Sequence, residues 1–209
     1  MRILRTLCLL AALSIAVAAM AQAGGAAASG GQAAAPQAQA TPAPPATIAA
    51  VVDREISQLE RQLVAAVEAM PEDKFEYIPT NLNTKDSTQP MRSFALEVKH
   101  VATANFALWS PITGTPLPAG IKGPNGPEDM KSKAEIVKFL KDSFALGHKA
   151  AATLTSENLM DQLQTFQGKA SRLYLATFAV AHAYDHYGQM ALYLRMNGIT
   201  PPASHAEPK

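Results

Sequence analysis

Apolar residues that recur every three or four positions constrain this chain more than any other feature of its sequence. The clearest stripe comprises Ile48, Val52, Ile56, Leu59, Leu63, Val67 and Met70. This spacing places apolar side chains on one face of an α-helix, and Pro71 ends it.

Three later segments have similar patterns. The second predicted helix runs from about Met91 to Trp109 and is stopped by Pro111, and the third runs from a capping box at 132–135 to about 151. The fourth runs from about 170 to 196 and is followed by Asn197-Gly198, which is typical of a C-cap. No segment alternates apolar and polar residues over a sustained length, so a sheet is not expected. We therefore predict an all-α fold, a four-helix bundle.

The first 45 residues differ from the rest in composition. Basic residues at 2 and 5 precede an apolar run to about Met20 and two small-x-small motifs, which predicts a secretory signal peptide over residues 1–23. A retained membrane anchor is the alternative, but the run is shorter than the ~20 residues that a spanning helix needs. Residues 24–45 are almost wholly Ala, Gly, Gln and Pro, which predicts a disordered linker. The folded domain is then expected over 46–204, in an exported protein, periplasmic or secreted, without stable membrane insertion after cleavage.

Charge and cysteine content exclude several function classes. Removal of Arg2 and Arg5 leaves 16 Lys+Arg against 17 Asp+Glu, a net charge of −1, which gives no reason to expect nucleic acid as a partner. The only cysteine, Cys8, lies inside the predicted signal peptide. The mature protein would therefore contain neither a disulfide nor a thiol nucleophile.

A long Pro/Gly-rich loop is predicted over residues 112–130. Structureless loops of this length are uncommon in compact domains and often serve as a lid or a rim of a site. A surface excursion without function is the alternative, and the sequence does not choose between them.

Two histidines on the last predicted helix are the strongest candidates for chemistry. His182 and His186 are four residues apart, so they point the same way and can approach one metal ion. They share a helical arc with Leu175 and Phe178, which marks that arc as the face toward the core. The alternative is that both are core or rim residues satisfied by backbone or solvent. The H-E-x-x-H zinc-protease motif is excluded because position 183 is alanine.

Other residues can complete such a site. His100, in the middle of the second predicted helix, is the best third ligand, because bundles build metal sites from facing helices. Asp185 either orients a ligand histidine or acts as a base on a bound water, and the alternative is that it is an exposed charge. Pocket residues are expected among Asn105, Gln189 and Tyr193.

Two motifs give a resemblance to a known family. Ser93-Phe94 with Glu97-Val98-Lys99-His100-Val101 and Asn105 resembles the second-helix motif of the DinB-like superfamily, and 181–189 running into 193–202 resembles its last helix in a bacterial subgroup. The resemblance covers about residues 48–204. It implies a four-helix bundle, a three-histidine metal site formed by His100, His182 and His186, and frequently a homodimer.

The resemblance also indicates a range of functions. A divalent zinc, nickel or iron ion is compatible with three imidazoles, and characterised relatives include transferases and isomerases that use low-molecular-weight thiols. Two departures bear on this: the family is mostly cytoplasmic, and Asp185 stands where similar sequences have glutamate. We expect a metal-dependent transferase or hydrolase acting on an unknown small molecule, with Asp185 as the catalytic candidate. The alternatives are a non-catalytic protein that binds metal or a small ligand, and a structural bundle with a vestigial site.

Overall fold

A computed structural model describes residues 46–79 and 91–205 of the chain. The predicted signal peptide (1–23) and linker (24–45) lie outside these residues. In the described part, the helices are α1 (Ile48–Ala69), α2 (Phe94–Thr113), α3 (Lys133–Ala151) and α4 (Arg172–Met196), with short 3-10 turns at Glu72–Lys74 and Pro202–Ser204. The predicted helical bundle is thereby confirmed.

Each long helix begins at a hydroxyl side chain that accepts a hydrogen bond from the first turn. The four N-caps are Thr47, Ser93, Ser132 and Ser171. A hydroxyl at this position satisfies a backbone N–H that has no partner within the helix. The predicted capping box is present, since Ser132 and Glu135 satisfy each other's backbone amides. At the far end of α4, Gly198 has a φ of 74° and follows the C-cap Asn197, as predicted.

Packing fixes which helices are neighbours. Both α1 and α2 pack against α3 and α4, so α1 and α2 occupy opposite corners of the bundle. The core between them contains Leu63, Val98, Leu140 and Leu194, all fully buried. Burial of each such side chain stabilises the fold by roughly 1.5–3 kcal/mol. The pairing of α2 with α4 brings the two histidine-bearing helices side by side.

The C-terminal end of α2 differs from the prediction. Pro111 lies inside the helix, which continues to Thr113 and ends at Gly114 with a φ of 68°. The final turn is held by tertiary contacts: Ile112 is buried, and its carbonyl accepts a hydrogen bond from the Arg172 guanidinium. These contacts outweigh the loss of one helical hydrogen bond at the proline.

The expectation that there is no sheet was also wrong in one place. Strands β1 (Gln162–Thr165) and β2 (Gly168–Ser171) form an antiparallel hairpin directly before α4. Gly168, with a φ of 111°, permits the two-residue turn between them. The strands are only four residues long and carry few apolar side chains, so they give almost no alternation to detect.

None of the described helices has both the length and the apolar character needed to cross a membrane.

Candidate metal centre

Three imidazoles from two helices converge at the α2–α4 contact. The ring centroid of His100, on α2, lies 5.2 Å from that of His182 and 4.6 Å from that of His186. His182 and His186, one turn apart on α4, have ring centroids 4.5 Å apart. One nitrogen from each ring lies within 4.8 Å of the other two, an arrangement that could hold a metal ion. The three predicted ligands are therefore brought together.

Two of these rings have their outward nitrogen engaged by an oxygen. Nδ1 of His186 donates to Oε2 of Glu97 at 2.7 Å, and Nδ1 of His100 donates to the carbonyl oxygen of Pro124 at 2.8 Å. An oxygen acceptor fixes the proton on Nδ1 and leaves the lone pair on Nε2. Imidazole ligands in metal sites are typically oriented in this way.

The third ring is electrically neutral and carries an unsatisfied nitrogen. Nδ1 of His182 is buried and has no hydrogen-bond partner in the described structure. Burial, together with the neighbouring His186 and His100, lowers the pKa of His182 to about 4. Burial also lowers the pKa of His100. Neutral imidazoles are the form that binds a metal, so the donor set fits a divalent ion.

Glu97 is a site residue to which the sequence analysis gave no role. Its side chain is only 3% exposed, and besides His186 it faces Arg92, whose Nη1 lies 3.6 Å from Oε1. Burial raises the pKa of Glu97, but the hydrogen bond and charge of His186, with Arg92, outweigh burial and keep the pKa below its usual value. Glu97 precedes His100 by three residues on α2, and this helical spacing was the available signal.

Asp185 and Gln189 lie on the outer side of the centre. Asp185 is exposed, and its Oδ2 accepts a hydrogen bond from Nε2 of Gln189 at 3.1 Å. The same nitrogen of Gln189 lies 3.5 Å from Nδ1 of His186. Among the residues described, no hydrogen bond joins Asp185 to an imidazole, and its catalytic role stays a prediction.

Asn105 and Tyr193 are buried with partners of their own. The Asn105 amide donates to the Ser143 hydroxyl on α3, and the Tyr193 hydroxyl donates to the Arg92 carbonyl. Tyr193 thereby contacts the backbone of a residue next to the centre. That either side chain lines the pocket of the centre stays a prediction.

An aromatic groove adjoins the centre. The ring of Phe178 lies 5.9 Å from that of His182 and stacks on Tyr174 at 5.4 Å and 6°. Tyr174 and Phe178 line a cavity of about 390 Å³ between the hairpin, α2 and α4, together with Phe166 at the hairpin turn. Phe178 is 40% exposed and lines this cavity, so its predicted position on the core side was wrong.

Comparisons with known proteins agree with this architecture. The family model of the DinB superfamily matches residues 55–190. A DinB-like protein from Bacillus subtilis has a similar structure, with a TM-score of 0.50, 19% identity, and coverage of 72% of this chain and 93% of that one. A DinB-like protein from Bacillus cereus gives a TM-score of 0.53 at 12% identity, covering 74% of this chain and 95% of that one. At these identities the likeness concerns the fold alone. A comparison with curated proteins finds no match.

Proposed function

The chain belongs to the DinB superfamily, and we propose that it is a metal-dependent enzyme of transferase or hydrolase type that acts on a small molecule. The observation that carries this proposal is that two of the imidazoles use one nitrogen for a hydrogen bond and keep the other nitrogen available for a metal ion. His100 and His186 use Nδ1 for oxygen acceptors, so their other nitrogens are available where the three rings meet.

A side chain and a backbone carbonyl of this chain orient two of the histidine ligands. His100, His182 and His186 would hold a divalent ion, which would supply Lewis-acid chemistry to a water or substrate bound there. Glu97 holds the Nδ1 proton of His186, and the Pro124 carbonyl holds the Nδ1 proton of His100, so Nε2 of each ring keeps its lone pair. Glu97 accepts a hydrogen bond from His186 and pairs with Arg92, so it is not free to act as a general base. Asp185 is better placed for that role because it is exposed beside the His182 turn.

The aromatic groove is the proposed binding surface for the part of the substrate that does not react. Phe178 contacts His182, so a molecule lying in the groove would reach the centre. Stacked Tyr174 and Phe178 offer a flat apolar wall, which favours a substrate with an apolar or planar group.

A non-catalytic metal-binding role is the second candidate. It is favoured by one observation: the only carboxylate that contacts an imidazole of the centre, within the described residues, is the enclosed Glu97. Such a protein would use the same three histidines and would show stoichiometric metal without turnover.

Metal analysis of the purified full chain tests the proposal. We expect about one equivalent of zinc, nickel or iron per chain, lost in His100→Ala and in His182→Ala, since two remaining imidazoles make an incomplete site. His148→Ala is the matched control, because His148 lies outside the centre and should leave the metal content unchanged. Wild-type protein that takes up no stoichiometric metal after reconstitution would contradict both candidates.

We also propose that the protein is exported and forms homodimers. The first rests on the N-terminal pattern, and the second on the family. Fractionation should find the processed chain outside the cytoplasm, and a full-length cytosolic product would contradict export. Sedimentation of the purified chain tests the dimer.

A further inference from the structure

The loop between α2 and α3 is fastened to α2 beside the metal centre. The buried Lys99, 3% exposed, donates from Nζ to the carbonyl oxygens of Pro127 and Met130. In the residues described, no carboxylate forms an ion pair with this ammonium group. Buried charged groups are costly unless they are hydrogen-bonded, so these two carbonyl contacts are strongly favoured. They hold residues 124–130, called here the anchored segment, along the flank of α2.

Close packing fixes the start of the anchored segment. Gly126 has a φ of 71°, and a Cβ atom there would lie 3.0 Å from Oγ1 of Thr103 and 3.3 Å from the ring of Phe139. Neither the backbone conformation nor the space suits a larger residue. Asn125 adds a side-chain hydrogen bond, because its Oδ1 accepts a hydrogen bond from Nε of Arg92 at 2.8 Å. A segment held by packing and by two basic side chains is a fixed wall rather than a mobile lid.

Arg92 connects the anchored segment to the surroundings of His186, the other ligand whose Nδ1 has an acceptor. It bonds Asn125, whose neighbour Pro124 accepts the His100 proton, and it faces Glu97, which accepts the His186 proton. The Arg92 guanidinium therefore contacts Glu97, the acceptor for His186, and Asn125, the residue next to the acceptor for His100.

Building on the metal-binding function proposed above, we propose that the anchored segment is part of the metal centre: it fixes His100 in the Nδ1–H tautomer by holding the Pro124 carbonyl against it. Lys99, Arg92, Asn125 and Gly126 are its positioning residues. They touch no substrate, and they act through His100. The segment therefore sets the affinity of the site for a divalent cation.

Two glycine variants give a matched test. Gly126→Ala and Gly114→Ala both place alanine at a positive φ, 71° and 68°, but a Cβ at Gly114 meets nothing within 4 Å. Both should lower the thermal stability of the protein. Only Gly126→Ala should weaken Zn²⁺ binding, by about tenfold in a competition titration with a chromophoric chelator, as expected when a metal-ligating histidine loses its hydrogen-bond acceptor. Equal Zn²⁺ affinities for the two variants and the wild type would overturn the proposal.

A metal-free readout separates positioning from folding. In the ¹⁵N spectrum of wild-type protein without metal, His100 should show one tautomer with the proton on Nδ1. Gly126→Ala should give a mixture of tautomers, and Gly114→Ala should not. An unchanged His100 signal in Gly126→Ala would refute the role of the segment. This measurement needs no bound metal, so it stays decisive even if the wild type binds none and the proposed function fails.

Asn125 supplies a milder pair of variants in case Gly126→Ala does not fold. Asn125→Ala removes the acceptor for Arg92 and should reproduce part of both effects. Asn125→Asp keeps an oxygen at that position and should restore Zn²⁺ affinity and the single His100 tautomer. Failure of Asn125→Asp to differ from Asn125→Ala would count against the proposal.

Discussion

His148 and His186 use the same nitrogen for the same type of partner, but they occupy different environments. Nδ1 of His148 bonds Oδ1 of Asp53 at 2.6 Å, and Nδ1 of His186 bonds Oε2 of Glu97 at 2.7 Å. The difference lies in the second nitrogen. Nε2 of His148 is also taken, by Oε2 of Glu60 at 3.1 Å, whereas the free side of His186 faces two other imidazoles.

The pKa of His148 and the pKa values of the two imidazoles beside His186 shift in opposite directions. Burial lowers the pKa of His148, but its hydrogen bonds to Asp53 and Glu60 outweigh burial and raise the pKa above its ordinary value. In the centre, His100 and His182 have lowered pKa values because burial is joined there by neighbouring groups of like charge. His148 is suited to bridge α3 and α1 as an imidazolium, whereas His100 and His182 present neutral rings to a cation. A carboxylate next to a histidine therefore does not by itself mark a metal site, because the second nitrogen of the ring must also be free to bind the ion.

The largest expected effect is on divalent-metal affinity, when the carboxylate bonded to His186 is removed and the carboxylate bonded to His148 serves as the control. Glu97→Gln should weaken divalent-metal binding by about 10- to 100-fold, because the ligand ring loses its anionic acceptor. Asp53→Asn should leave the affinity unchanged, since His148 takes no part in the centre. Competition titrations of both variants measure this, and equal affinities would remove the distinction between the two histidines.

Acid should lower the stability of the metal-free protein through His182. Because the pKa of His182 is about 4 in the folded protein and about 6.5 when unfolded, the unfolded state binds more protons between these values. The metal-free protein should lose stability as the pH falls below about 6.5. His182→Asn cannot take up that proton, so it should lose less stability than the wild type. Urea unfolding at pH 8 and pH 5 measures the difference; a greater loss in the variant would contradict it.

His148 should show the opposite and smaller pH dependence. Its raised pKa means that its stabilising contribution is fully present below the unfolded pKa and is lost as the pH rises through the folded one. His148→Asn should therefore destabilise the protein at pH 5.5 by up to about 1 kcal/mol, as expected for a partly exposed ion pair, and much less at pH 9. The same denaturation series at both pH values tests this, with added salt reducing the effect at pH 5.5.

The helical part of the fold was predictable because it rests on local signals. The apolar stripe of the first helix and the capping box at Ser132 both coincide with observed helices. The errors arose where tertiary contacts decide. Helix α2 continues past Pro111 because Ile112 is buried, and the hairpin before α4 pairs short strands that have little apolar character.

For the centre, the sequence by itself determined which imidazoles are available and on which helices they lie. Helical periodicity aligns His182 with His186, and the family motif adds His100. The tertiary structure alone decided which nitrogen of His100 and of His186 is free. The acceptors are 24 residues from His100 at Pro124 and 89 residues from His186 at Glu97. Separations of that kind leave no periodic trace in a sequence, because they depend on how the loop and helices pack. The sequence thus identifies the three candidate ligands, and the tertiary structure sets the orientation of two of them.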